Sequence, residues 1–171
     1  KEFKYGIKSP LPSLEFNADD GLFLGAGIRW TTQGFRKEPF KSEQTIKGNA
    51  AFLTGAFNFY YTGRFVDVWK KWDLELGADV RAPNYVTNFF GYGNETVGFT
   101  PEQNSLDFFR ARYNQVRFYT GLRQELGPYS FFRIGPTVEY LKMDDGDNLG
   151  RFIASPESGL DQDDLNQSKV F

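Results

Sequence analysis

The residues whose types and spacing could do chemistry sit in WDLELGADVRA at residues 72–82, where Asp73, Glu75 and Asp79 alternate with Leu74, Leu76 and Val80. Paired carboxylates on one face can divide the acid and base roles of glycoside hydrolysis. Positions i and i+2 on a strand lie about 6.5–7 Å apart, which does not forbid that role. Arg81 ends the same series, and Arg117, Arg123, Arg133 and Glu139 recur at alternating positions downstream. Ion pairing between these carboxylates and arginines explains both sets, so we read them as structural pairs. A second constellation, Asp144, Asp145, Asp147 and Asn148 around Gly146, resembles a calcium loop. That loop needs a glutamate at its twelfth position, which counted from Asp144 is Ser155. A solvated acidic loop is the expectation there, and likewise at Asp161, Asp163 and Asp164. With His 0 and Cys 0, the chain has no imidazole base, no thiolate and no ordinary zinc site. No catalytic residue, cofactor or metal is expected.

The elements that must position these charges are strands. In LFLGAGIRWTTQ at residues 22–33, Leu22, Leu24, Ala26, Ile28 and Trp30 fall on one side and Phe23, Gly25, Gly27, Arg29 and Thr31 on the other. Period two over such a length is a strand signal. It returns at 72–82, at 113–125 and at 129–142. In the last two, Val116, Phe118, Thr120, Leu122, Ile134, Val138 and Tyr140 oppose Gln115, Arg117, Tyr119, Arg123, Arg133, Thr137 and Glu139. A short strand is expected at 14–18, turning at Asp19-Asp20-Gly21, after an extended lead-in with Pro10 and Pro12. Residues 44–65 change apolar phase by one residue near Thr54-Gly55, so they form either two short strands joined at that glycine or one long strand with a β-bulge; the bulge is preferred because only then do the connections sort by length. The connections then sort alternately into short ones (19–21, 66–71, 126–128) and long ones (34–43, 83–112, 143–169). Gly25, Gly27 and Gly77 are expected to relieve crowding in a bent sheet or to make room for aromatics.

Nothing in the 171 residues splits the chain into two domains, so residues 1–171 are read as a single segment. No apolar run approaches the roughly 18–20 residues of a membrane helix, whereas a membrane β-strand needs only about 9–11, half of them polar. A net charge of -2 and the absence of a basic run argue against nucleic acid as a partner. Short turns at one end and long loops at the other suit an antiparallel up-and-down transmembrane β-barrel. In that arrangement Leu22, Leu24, Ile28, Trp30, Leu74, Leu76, Val80, Phe118, Leu122, Ile134 and Val138 face lipid. Arg29, Asp73, Glu75, Asp79, Arg81, Arg117, Arg123, Arg133 and Glu139 face the lumen. Trp30, Trp69, Trp72, Tyr60, Tyr61, Tyr113, Tyr129 and Tyr140 lie near strand ends, where aromatic girdles sit. A soluble lipocalin-like barrel binding an apolar ligand alternates in the same way, with its apolar side inward.

DGLFLGAGI (20–28), WDLELGADVRAPNY (72–85), NFFGYGNET (88–96) and RYNQVRF (112–118) together resemble the surface-antigen family of outer-membrane β-barrels. Its superfamily includes the outer-membrane assembly insertase and two-partner secretion translocators. The likeness is to a branch often fused to a calcineurin-like metallophosphoesterase. The resemblance implies a probably sixteen-stranded barrel made by a longer chain, of which this sequence supplies about five full strands and one short one. It implies the outer membrane of a Gram-negative bacterium, with the lipid bilayer, lipopolysaccharide and the remaining strands as partners, and periplasmic or surface proteins as further candidates. The superfamily's inward loop carries Arg-Gly-Phe; here only Gln33-Gly34-Phe35 echoes it, in another loop and with no role assigned. Terminal Phe171 follows Gln167 and Lys169, where the family's assembly signal has apolar residues. The expected function is non-enzymatic: a membrane anchor or part of a protein assembly or translocation barrel, the alternative being a passive pore or structural barrel.

Overall fold

A computed structural model describes residues 5–17, 20–91, 106–160 and 168–170. Ala18, Asp19, residues 92–96 of the family resemblance, Asp161, Asp163, Asp164 and Phe171 lie outside the described residues.

One antiparallel sheet holds every strand. Its members are β1 (Ile7–Asn17), β2 (Gly21–Thr32), β3 (Ser42–Ala51), β4 (Phe57–Trp69), β5 (Trp72–Asn88), β6 (Arg110–Gly127), β7 (Ser130–Ile134), β8 (Thr137–Met143) and β9 (Ser168–Val170). Neighbours follow chain order from β1 to β6; β7 and β8 both pair with β6, and β9 pairs with β8. The topology is therefore up-and-down. Among the described residues β1 and β9 have no partner on their outer sides, so the sheet is open.

In register terms β7 and β8 are a single strand. Leu122 opposite Ile134 and Tyr119 opposite Thr137 keep the same pairing, interrupted only at Gly135-Pro136. The Pro136 carbonyl still accepts from the Thr120 N–H at 3.2 Å. A Cβ on Gly135 would overlap the Thr120 carbonyl oxygen, so the two strands approach there only because residue 135 has no side chain.

Residues 44–65 do not form one bulged strand. They form β3 and β4, joined by a turn at 52–56 and paired from Ala50 opposite Phe57 outward. Gly55 takes φ +70, and Ala51 bonds across the turn, its N–H to the Ala56 carbonyl at 2.8 Å and its carbonyl to the Gly55 N–H at 3.1 Å. Thr54 Oγ1 adds a 2.8 Å bond to Asp20 Oδ1 of the neighbouring turn. A hairpin with an odd offset between its first opposed residues shifts the apolar phase by one, just as a bulge does.

That correction undoes the strict alternation of short and long connections. The β1–β2 connection and the turn at 52–56 share one end of the sheet with the β5–β6 and β8–β9 connections, here called the loop end. The opposite, hairpin end carries 33–41 and the two-residue turns at 70–71 and 128–129.

Four strands are longer than expected, β6 by two or three residues at each end. β1 begins at Ile7 and includes Pro10 and Pro12, which an edge strand tolerates because the missing N–H groups need not serve two neighbours. β4 reaches Trp69 across an irregularity after Phe65, where Asp67 takes φ 52. β5 reaches Asn88 across an irregularity between Arg81 and Tyr85, at the site where Pro83 removes a ladder donor.

Candidate functional site

Residues directly opposite in an antiparallel pair project from the same face of the sheet. One chain of partners runs Ile28, Ile46, Tyr61, Ala78, Phe118 and Val138; another runs Phe65, Leu74, Leu122 and Ile134. Trp30 leads through Gln44 and Gly63 to Leu76, and Phe59 opposes Val80. With Leu22 and Leu24 four and two residues from Ala26 on β2, these form one apolar face. The opposite face holds Arg29; Asp79, Arg117 and Glu139 in one row; Asp73, Arg123 and Arg133 in another; and Glu75 and Arg81 beside them. It is the charged face.

Most of the charges on that face are paired with one another. Arg64 reaches Asp73 through Nε at 2.8 Å and Glu125 through Nη2 at 2.8 Å, spanning β4 to β6. Asp73 also accepts the Asp67 N–H at 2.9 Å. Glu75 lies between Arg123 at 3.5 Å and Arg133 at 3.4 Å. Arg81 binds both oxygens of Asp79 at 3.2 and 3.1 Å, and Arg117 meets Glu139 at 2.9 Å. Arg29 bonds Thr45 Oγ1 at 3.3 Å and makes no ion pair among the described residues. Each carboxylate of the 72–82 strand is thus occupied by a guanidinium, and none stands free beside a second one for acid–base work. Among the described residues no group of three carboxylates is placed to hold a metal ion.

The polar face is also the more enclosed one. Asp73 is 5% exposed and Glu75 9%, while Leu14, Phe16 and Ile134 on the apolar face are 71, 77 and 61% exposed. Glycines locate the bend responsible. A Cβ on Gly25 would overlap the Gly48 carbonyl oxygen, and one on Gly27 would overlap that of Ile46; both point to the polar side, as does Gly135. On the apolar side a Cβ at Gly48 would meet the Phe57 ring at 3.6 Å and the Asn58 carbonyl oxygen at 3.8 Å, both ordinary contacts. The closest backbone approaches, at Gly25, Gly27 and Gly135, are all on the polar side of the sheet, as they are where a sheet curls with its polar face inward. Gly77 serves a different purpose, leaving space for the Tyr119 ring.

At the loop end the concave face is partly covered. The segment after β8 begins with a short helix, α1 (Asp145–Asn148), which Asp144 caps by accepting the Gly146 N–H at 2.9 Å. Asn148 is fully buried, contrary to the solvated loop expected there. Its Oδ1 accepts the Arg112 N–H at 2.7 Å, and its Nδ2 donates to the Arg112 carbonyl at 2.9 Å, so one side chain continues the ladder where β8 has ended. Phe152 then enters a ring cluster with Phe89 at 6.1 Å and Phe109 at 5.2 Å, and Ile153 packs on Ala111. Arg151 Nη1 donates to the Arg110 carbonyl at 2.8 Å; burial, then the nearby Arg112 charge, pushes its guanidinium below the ordinary value. Aromatic runs inside loop composition, LDFF and RFI, were the sequence signal for this cover.

No helix among the described residues is long and apolar enough to cross a membrane, which leaves strands as the elements to consider. No protein-family model matches the chain, and neither a curated protein nor a solved structure matches it.

Proposed function

We propose that this sheet is part of the wall of an outer-membrane β-barrel, with its convex apolar face in lipid and its concave charged face toward a wet lumen. The observation that carries the reading is the inverted polarity: the curled sheet shields its ion pairs and leaves its leucines, isoleucines and aromatics uncovered. Burying one large apolar side chain is worth about 1.5–3 kcal/mol. A handful left in water therefore forfeits as much as the whole stability of a typical domain, about 5–15 kcal/mol. Hydrocarbon offsets that loss, whereas a soluble barrel would need the opposite curvature.

The outer sides of β1 and β9 need partners as well, because an unpaired backbone group in lipid costs several kcal/mol. Further strands of the same barrel supply them. The resemblance to the surface-antigen family supports a sixteen-stranded barrel in the outer membrane of a Gram-negative bacterium. Its surroundings are then phospholipid and lipopolysaccharide, with periplasmic or surface proteins as partners. The role is non-enzymatic, as membrane anchor or as part of an assembly or translocation barrel, in keeping with the engagement of Asp73, Glu75 and Asp79 by arginines. Fractionation tests this: the full-length protein is expected in the membrane pellet, soluble only in detergent, and with heat-dependent gel mobility. Recovery in the aqueous phase without detergent contradicts it.

A further inference from the structure

The chain has three tryptophans, and all three fall on the apolar face at the hairpin end. Trp69 and Trp72 are directly opposite each other across the 70–71 turn, and Trp30 is opposite Lys8. Lys8, Lys70 and Lys71 are exposed and make no ion pair among the described residues, and the Lys70 ammonium lies 5.1 Å from the centre of the Trp69 ring. Exposed carboxylates lie at both ends, Glu38 and Glu125 at the hairpin end and Asp147 and Glu157 at the loop end. Tryptophan prefers the headgroup level of a bilayer, and lysine near it finds its counter-charge in phosphate.

We propose that Trp30, Trp69 and Trp72 with Lys8, Lys70 and Lys71 form a band that binds the headgroups of anionic glycerophospholipids and so sets the depth of the sheet in the bilayer. The proposal rests on the membrane reading above. Charge complementarity selects the occupant: three exposed cations with no ion pair among the described residues lie beside three rings suited to the interface, at the end that carries both two-residue turns.

The test uses the full-length protein in vesicles whose brominated chains are carried either by phosphatidylglycerol or, at the same mole fraction, by phosphatidylcholine. Quenching of Trp69 and Trp72 is read by difference from a W69F/W72F variant. The brominated phosphatidylglycerol should be enriched about fivefold around these rings, the equivalent of about 1 kcal/mol for one lysine at an anionic surface. A K8Q/K70Q/K71Q variant should lose the preference while both lipids still quench. In the unsubstituted protein, about 1 M salt should abolish it too, since screening then acts over about 3 Å. Equal quenching by the two lipids in the unsubstituted protein, or a preference that survives salt, overturns the headgroup band and leaves the membrane reading standing. No quenching by either lipid overturns the membrane reading itself.

Discussion

Within β6, Gln115 is 5% exposed and Phe118, three residues on, is 54% exposed. They belong to opposite faces of the same strand, and the amide is the sheltered one. In a soluble two-layer protein the order would be reversed, because an apolar face has to be covered by a second layer. Here the polar face is sheltered by curvature and by its own ion pairs, and the apolar face by nothing in the described chain. The comparison teaches that fractional burial and hydrophobicity separate when a sheet curls the other way. On the membrane reading proposed above, the convex side faces lipid rather than water.

The largest expected effect comes from removing the curvature. Gly135→Val or Gly25→Val places a side chain into the backbone of the neighbouring strand and should cost about 3 kcal/mol or more, preventing assembly. Gly48→Ala on the convex side should leave the heat-dependent gel mobility intact, and equal damage from both would show that the bend is wrongly located. Next is the charge test on adjacent residues of β2. Ile28→Arg should cost about 2–4 kcal/mol if the position lies near the bilayer midplane, measured by urea titration of the folded barrel in vesicles. A smaller effect is predicted for Asn148→Ala, which leaves the Arg112 backbone groups unpaired at about 1–3 kcal/mol. It should speed hydrogen exchange at Arg112 and protease cleavage of 144–160 without changing strand content. Smallest of all is Arg29→Gln, expected within about 0.5 kcal/mol because Arg29 is exposed and holds one hydrogen bond. If Arg29→Gln and Ile28→Arg prove equally damaging, the contrast between the faces fails.

Alternation alone suffices to sort residues such as Leu76 and Glu75 into two sets, because successive side chains of a strand must point apart. It carries no information on which set is enclosed; that depends on the sense of curl, set by contacts such as Gly135 against Thr120, residues on different strands. The hairpin at Thr54-Gly55 was hard to distinguish from a bulge because either one shifts the apolar phase by one residue. The reach of β1 and β5 was obscured by Pro10, Pro12 and Pro83, which break local strand propensity but are accommodated at an edge and at a bulge. Asn148 was illegible for another reason. Its partner is the backbone of Arg112, and a backbone group leaves no trace in residue type.

The central claim is that the apolar face meets lipid and the charged face meets water. These 171 residues contain no cysteine, so a cysteine introduced singly at positions 115–122 of β6 carries the only spin label within them, in the full-length protein in bilayers with any cysteine outside them replaced. The account predicts that collision with apolar molecular oxygen peaks at 116, 118, 120 and 122, while collision with a water-soluble nickel chelate peaks at 115, 117, 119 and 121. Two profiles that rise and fall together, or the reversed phase, would contradict it.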